Sequence, residues 1–415
     1  MHHYARTAPI IVLLAALLTP TQAYAQAKGS LESWPDWVQE GMAKEVRKTK
    51  LRDVEMPIDT ISAKLPGKPG VAQAIDDGWY LNSDIKAGSL LECYVYTTGL
   101  DLASLTNILA ENSIAAVIQT NGAEIGPREI YDTDAGVVNG LPYLALEWIY
   151  TMSANEQTMV GFTKVRAAVK GDFAFACVHN YLGYRKTFAK AFSDFTENVE
   201  YEATTPAPYY EEVAKLDYND IGAGITYFSF TEDSEGHIKT YTTEASIMPV
   251  SASTIMTSDS IIISYTSLDG ELINSRSIGV QNGELISNLS LMRNEDGDWV
   301  SGGTLQGKEI TSVLDGTVSP TSELRMITTA RDLFAGDETA VTLDAWVPTV
   351  DPTSFLQTIF TRDDAEVAGQ ANVSMGPINY VGQFDEYGSL TTAAMTVGPM
   401  TINIERLWSR GVPAK

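Results

Sequence analysis

From about residue 216 to residue 408, apolar and polar residues alternate in short runs separated by turn pairs such as Asp269-Gly270, Asn282-Gly283 and Asp296-Gly297-Asp298. A period of two marks strands with one buried face, and Asn, Asp and Gly tolerate the positive φ of tight hairpins. The pattern predicts strands at 224–230, 237–245, 259–266, 271–280, 284–291, 300–307, 340–347, 376–383, 389–396 and 400–407. One helix, 322–334, interrupts them, with Leu324, Ile327 and Leu333 roughly aligned. This half reads as one large antiparallel meander.

The first half is mixed. Trp34, Val38, Met42 and Val46 recur every four residues, predicting an amphipathic helix over 33–52, with Ser33 as its cap and Pro35 in its first turn. The strand Leu91-Glu92-Cys93-Tyr94-Val95-Tyr96 alternates, and Asp101 is placed to cap a helix whose Leu102, Leu105, Ile108 and Leu109 form a buried face. Strands are predicted at 115–119, 128–133, 142–150, 159–168 and 172–179. A second helix follows, with Phe188, Phe192 and Phe195 on one stripe. Residues 202–214, with Pro206 and Pro208, read as a linker.

Two family resemblances rest on these residues. Asn139-Gly140-Leu141-Pro142 opening a strand at 143–150, a late strand ending at His179 and the closing Phe-bearing helix resemble the PsbP/Mog1-like fold. That resemblance implies an accessory or interaction protein without shared catalytic residues. Trp346-Val347-Pro348, Asp385-Glu386-Tyr387-Gly388 and Gly398-Pro399-Met400-Thr401-Ile402 resemble LolA-like exported proteins, whose curved antiparallel sheets hold lipid or lipid-modified cargo. The expected fold class is therefore α+β, a PsbP/Mog1-like sandwich domain followed by an antiparallel β-meander domain. The expected division is a signal peptide at 1–25, an amphipathic helix at 26–52, the α+β domain at 53–201, the linker at 202–214 and the sheet domain at 215–410.

The N-terminus changes the picture of where the chain works. Arg6, the apolar run from Ile10 to Leu18, and Ala23-Tyr24-Ala25 match a secretory signal cut after Ala25, so periplasmic or secreted localisation is expected. No later run has the ~20 apolar residues of a membrane helix, and an integral membrane protein is not expected. Cleavage leaves 27 basic and 53 acidic side chains, a net charge of −26. This acidity argues against nucleic acid, which is bound by Lys and Arg that displace counterions. It reads as a solvated surface that keeps an exported protein soluble.

Chemistry is scarce. Past the signal the chain has two Cys, Cys93 and Cys177, and two His, His179 and His237, so few His-dependent mechanisms are open. Cys93 and Cys177 on apolar strand faces are either a disulfide, if their Cα atoms lie within ~7 Å, or two buried thiols. Cys177-Val178-His179 puts a thiol and an imidazole on one strand face, read as core with His179 hydrogen-bonded at the strand end. Ser83-Asp84-Ile85-Lys86 matches S-x-x-K without the accompanying Lys-Thr-Gly, and reads as a chance match in a turn. Asn294-Glu295-Asp296-Gly297-Asp298 lacks the continuation of a calcium loop and reads as an acidic hairpin turn. No residue is assigned a catalytic, cofactor-binding or metal role, and no cofactor is expected.

These features point to a non-enzymatic accessory or binding protein of the cell envelope, presenting its curved sheet to an envelope protein or an apolar, lipid-like ligand. A carboxylate-dependent hydrolase of envelope polymers is the alternative. An outer-membrane barrel comes third, because Ser-Arg-Gly-Val-Pro-Ala-Lys at the end of the sequence is not a terminal aromatic strand.

Overall fold

The computed structural model describes residues 31–413, apart from 32–33, 47–48, 59, 87–88, 98–100, 172, 202–205, 220–221, 363–367 and 398–399. The expected signal peptide, Ser33 and the Gly398-Pro399 pair lie outside the described residues. The chain opens with α1 (Asp36–Met42), then short strands β1 (Leu51–Asp53), β2 (Ile61–Ser62), β3 (Lys64–Pro66), β4 (Lys68–Pro69) and β5 (Gln73–Ile75). The strands β6 (Gly78–Lys86) and β7 (Ser89–Tyr96) precede α2 (Leu102–Asn121). After it come β8 (Glu124–Val138), β9 (Leu141–Ala154), β10 (Gln157–Lys170) and β11 (Phe173–His179), then α3 (Arg185–Glu197) and β12 (Glu200–Tyr201).

In the first half β4, β6, β7, β11, β10, β9 and β8 hydrogen-bond in that order, and β5 also pairs with β6. All the contacts are antiparallel. Phe188, Phe192 and Phe195 of α3 are buried together against Cys93, Val95, Phe175 and Cys177 on one face of this sheet. Val38 and Met42 of α1 pack beside them on Ile149 and Phe162. The opposite face carries Leu146, Trp148, Val165 and Ala176, and α2 lies on it.

Several expectations for this half are corrected. Residues 115–119 are not a strand: α2 runs on through them to Asn121, where Gly122 at φ +56° ends it by donating its N–H to Gln119 O. Ile114 continues the buried face that Leu105 and Leu109 begin, so the apolar run belongs to a helix; Ile108, expected on that face, is 51% exposed. Asp101 makes no side-chain cap bond. Among the described residues the N-terminal helix covers Asp36–Met42, and Leu51–Asp53 at the end of the expected span pairs with Lys64–Pro66.

The second half contains β13 (Tyr210–Tyr218), β14 (Gly222–Glu232), β15 (Ile238–Ser251), β16 (Thr254–Thr266) and β17 (Leu272–Gln281). It continues through β18 (Glu284–Arg293), β19 (Trp299–Leu305), β20 (Lys308–Leu314) and α4 (Glu323–Ala335). The last strands are β21 (Ala340–Trp346), β22 (Phe355–Arg362), β23 (Gln370–Met375), β24 (Ile378–Phe384), β25 (Leu390–Val397) and β26 (Met400–Gly411). They form one fourteen-stranded antiparallel sheet in which β13 pairs with β26, so the first and last strands meet in its middle. Strand β13 starts at Tyr210, inside the span expected as a linker, because Tyr210, Val213, Leu216 and Tyr218 are all buried.

The sheet curls on itself. Thr321 bridges Glu271 at the head of β17 to Ala345 of β21, and Ser322 donates its hydroxyl to Gly270 O at 2.7 Å. Leu291, Trp299 and Leu314 pack with Trp346 and Phe355, bringing both ends of the strand order into one cluster. Helix α4 is then drawn under one end of the curl. Leu324 buries against Tyr210, Phe228 and Phe230, and Leu333 against Phe360, Val373 and Phe384. The two sheets share a core: Val213, Ile225, Ala245 and Ile247, on the outer face of the curl, are buried in one cluster with α2 and β9.

Candidate functional site

The inner face of the curl encloses a cavity of about 310 Å³, within the range of small-molecule sites. Strand alternation decides what faces it. On β13 to β16, Val213, Ile225 and Ala245 point outward to α2, so their neighbours Ala214, Thr226 and Glu244 point inward. Cross-strand register lines up Ala214 with Thr226, Thr226 with Glu244, and Glu244 with Ser260. Leu216, Phe228, Ile262, Met395 and Ile404 supply apolar wall, and Ile378, Tyr380 and Leu390 continue it on β24 and β25. Glu323 and Met326 of α4 form the floor, so the helix fills one end of the curl and leaves the rest as lumen.

Three carboxylates face this lumen and differ in their partners. Glu212 accepts the Tyr210 hydroxyl at 2.5 Å and lies 3.8 Å from the Arg406 guanidinium, which also pairs with Asp385 at 2.7 Å. Burial raises the pKa of Glu212, and the Tyr210 and Arg406 contacts oppose the rise. Glu244 is 8% exposed, and among the described residues its carboxylate accepts from the Tyr218 hydroxyl at 3.5 Å. Desolvation pushes its pKa up to about 8. Glu323, in the first turn of α4, is also raised by burial, against hydrogen bonds from its own backbone N–H and from Ser264. Thr242 Oγ1, two residues before Glu244, also lines the lumen and is buried without a partner.

A second polar cluster lies in the first half, between the sheet, α1 and α3. Register places Lys164 between Glu147 on β9 and His179 on β11. Lys164 donates to Tyr181 O at 2.5 Å, and Arg185 bridges Glu147 and Asp132, each at 2.6 Å. Burial lowers the Lys164 pKa and raises that of Glu147, so each favours its neutral form relative to water. His179 Nε2 lies 2.7 Å from Ser89 Oγ, but His179 Nδ1 is buried without a partner. A serine nucleophile needs a third group to orient its histidine, and burial together with Lys164 holds His179 well below its ordinary pKa. The ring is packed on Phe188 and Tyr184 as core.

The other residues singled out by sequence fall as follows. Cys93 and Cys177 are cross-strand partners on β7 and β11 with Cα atoms 4.0 Å apart, and their sulfurs are bonded, so Cys177 offers no thiol to His179. Ser83 is buried in β6, donating to Pro66 O at 2.6 Å, and sits in a strand rather than a turn. Asn294 Oδ1 accepts the N–H groups of Asp296 and Asp298, an Asx turn joining β18 to β19. His237 stands in an exposed turn beside Asp233 and Glu235. Among the described residues no group of three His, Cys, Asp or Glu is arranged to hold a metal ion, and no helix is long and apolar enough to cross a membrane. Sequence reasoning singled out none of Glu212, Glu244 and Glu323. The signal for Glu244 was present in Thr240-Tyr241-Thr242-Thr243-Glu244-Ala245-Ser246-Ile247, where the acid falls on the face opposite Ala245 and Ile247.

No family model matches this chain, and no curated protein matches it significantly. Among solved structures, it is similar to a β-barrel-like protein of the domain of unknown function DUF1849 from Brucella abortus. The identity is 10% over 50% of this chain and 99% of that one, at a TM-score of 0.40. It is also similar to a DUF1089 family protein from Pseudomonas aeruginosa, with 14% identity over 46% of this chain and 92% of that one, at a TM-score of 0.27.

Proposed function

We infer that this chain is an exported, non-enzymatic binding protein of the cell envelope that holds a small apolar ligand inside its curled sheet. The observation that carries the reading is the cavity of about 310 Å³, walled by Leu216, Phe228, Ile262, Met395 and Ile404 and floored by α4. Interiors are normally packed to crystal-like density, so a space of this size with an apolar wall supports occupancy by a ligand. The placement of α2 and α3 on opposite faces of the first sheet supports the PsbP/Mog1-like part of the reading, and the enclosed concavity supports the LolA-like part. Native mass spectrometry of protein purified from its host tests it: a bound mass of a few hundred daltons is expected, and repeated apo masses would count against it. Ala214→Trp, which projects an indole into the lumen, should abolish uptake of an apolar fluorophore while the melting temperature falls only by the few degrees that overpacking costs.

A carboxylate hydrolase is the second reading, favoured by three acids on one lumen. It is weaker because Glu212 is already held by Arg406 and Tyr210. Turnover of an envelope polysaccharide or peptide that is lost in Glu244→Gln would revive it.

A further inference from the structure

The charge of the lumen restricts what it holds. Its walls combine apolar surface with Glu212, Glu244 and Glu323, and among the described residues no Lys, Arg or His side chain lines it. Arg406, beside Glu212, is shared with Asp385, so this end of the lumen has two acids for one base. Glu244 has no cationic partner among the described residues, and only one long contact with Tyr218. A buried carboxylate without a counter-ion is costly, and the cost is recovered when a cation arrives in the same low-dielectric space. An anionic head would meet Glu244 and Glu323 without a base beside them, and at Glu212 a base already shared by two acids.

We propose that the lumen selects amphiphiles with a cationic amine head, the ammonium pairing with Glu244 and the alkyl body lying along Leu216, Phe228, Met395 and Ile404. This rests on the reading of the lumen as a ligand site and names the chemical class. At about 310 Å³ the lumen is of a size to take a single small amphiphile. Desolvation favours protonated Glu244, so capture of an ammonium ion forms the ion pair and releases the carboxyl proton to solvent.

Isothermal titration of the full chain with decylamine, decanol and decanoate, below their aggregation concentrations, tests the proposal. Decylamine is expected to bind at least about ten-fold tighter than decanol, with decanoate weakest. Glu244→Gln is expected to bring decylamine to the decanol level while leaving decanol unchanged. Binding of decanol or decanoate as tightly as decylamine would overturn the amine selectivity and leave the apolar lumen standing; so would a Glu244→Gln protein that keeps the preference. If none of the three probes binds, both the lumen reading and this inference fail. Should Glu244→Gln not fold, the wild-type ranking decides, together with proton release on decylamine binding, read in buffers of different ionisation enthalpy. A ranking led by decylamine with release of about one proton near pH 7 supports the pairing, and no release overturns it.

Discussion

Asp259, on β16, accepts the backbone N–H of Ser104 at 2.9 Å and the Ser104 hydroxyl at 2.8 Å, with the N–H of Ala103 at 2.7 Å on its other oxygen. A side chain from the curled sheet thus caps α2, the helix that separates the two sheets. The same device recurs on α3: Glu45 accepts the N–H groups of Lys186 and Thr187 at 2.9 and 2.8 Å, although Tyr184 at the helix start provides no side-chain cap. Both helices are capped by acids far away in sequence, so helix ends and tertiary docking form together.

Asp259→Ala should therefore cost about 1–3 kcal/mol by leaving buried N–H groups unpaired, read as a shifted midpoint in urea. Asp259→Asn keeps one acceptor and should cost less. Burial raises the folded-state pKa of Asp259 to about 6, above its unfolded value, so its contribution is full below about pH 4 and is lost as pH rises through 6. Relative to Asp259→Asn, the wild type should lose on the order of 3 kcal/mol between pH 4 and 7. Parallel pH–stability curves would refute this.

Removing Glu147 should be among the most damaging single changes in the first half. Lys164 would lose its nearest carboxylate and keep the Tyr181 carbonyl, the Phe162 ring face and the more distant Glu45, and a buried charge stripped of its partner costs about 3–5 kcal/mol. Burial depresses the Lys164 pKa, so neutral Lys164 favours the fold and the Glu147→Gln penalty should shrink from pH 6 to pH 9. Adding Lys164→Met should recover much of the loss, a coupling that a double-mutant cycle in denaturant would measure.

The Cys93–Cys177 bond joins β7 to β11 in the core beneath α3 and closes a chain separation of 84 residues. Its removal by paired Ala substitution should cost about 2–4 kcal/mol. Thiol labelling of unfolded protein without reductant should find no reactive Cys, and two after reduction.

Gly388, at φ +83°, abuts the carbonyl of Ile327 and the N–H of Arg331 on α4. Its turn also carries Asp385, which pairs with Arg406 at 2.7 Å. A Cβ here would strain the backbone and collide with the helix, so Gly388→Ala should destabilise by more than about 1 kcal/mol. Hydrogen exchange should quicken in α4 before it does in α2.

The sequence by itself determined what short-range pattern can encode. Alternation and turn pairs located β14 to β19 because each has a face to bury and most are reversed at a Gly or Asn, the Ser251–Thr254 turn excepted; Asn282 and Gly283 take the positive φ values such a hairpin needs. The Phe188, Phe192 and Phe195 stripe was equally legible, as was α4. Pattern failed where a short apolar run fell inside a helix or the partner was distant. Residues 115–119 read as a strand because Ala115, Ala116, Val117 and Ile118 form a short apolar run without a polar face, although Ala115 and Ala116 are exposed on α2. Strand β13 passed for a linker because its pairing with β26 spans most of the second half. Tertiary structure alone decided the curl, through Thr321 stitching β17 to β21, and the cap on α2, through Asp259. It also decided the lumen, where Glu212, Glu244 and Glu323 converge from three separate elements. Such convergence is a property of register summed over many strands, and no local run of residues encodes it.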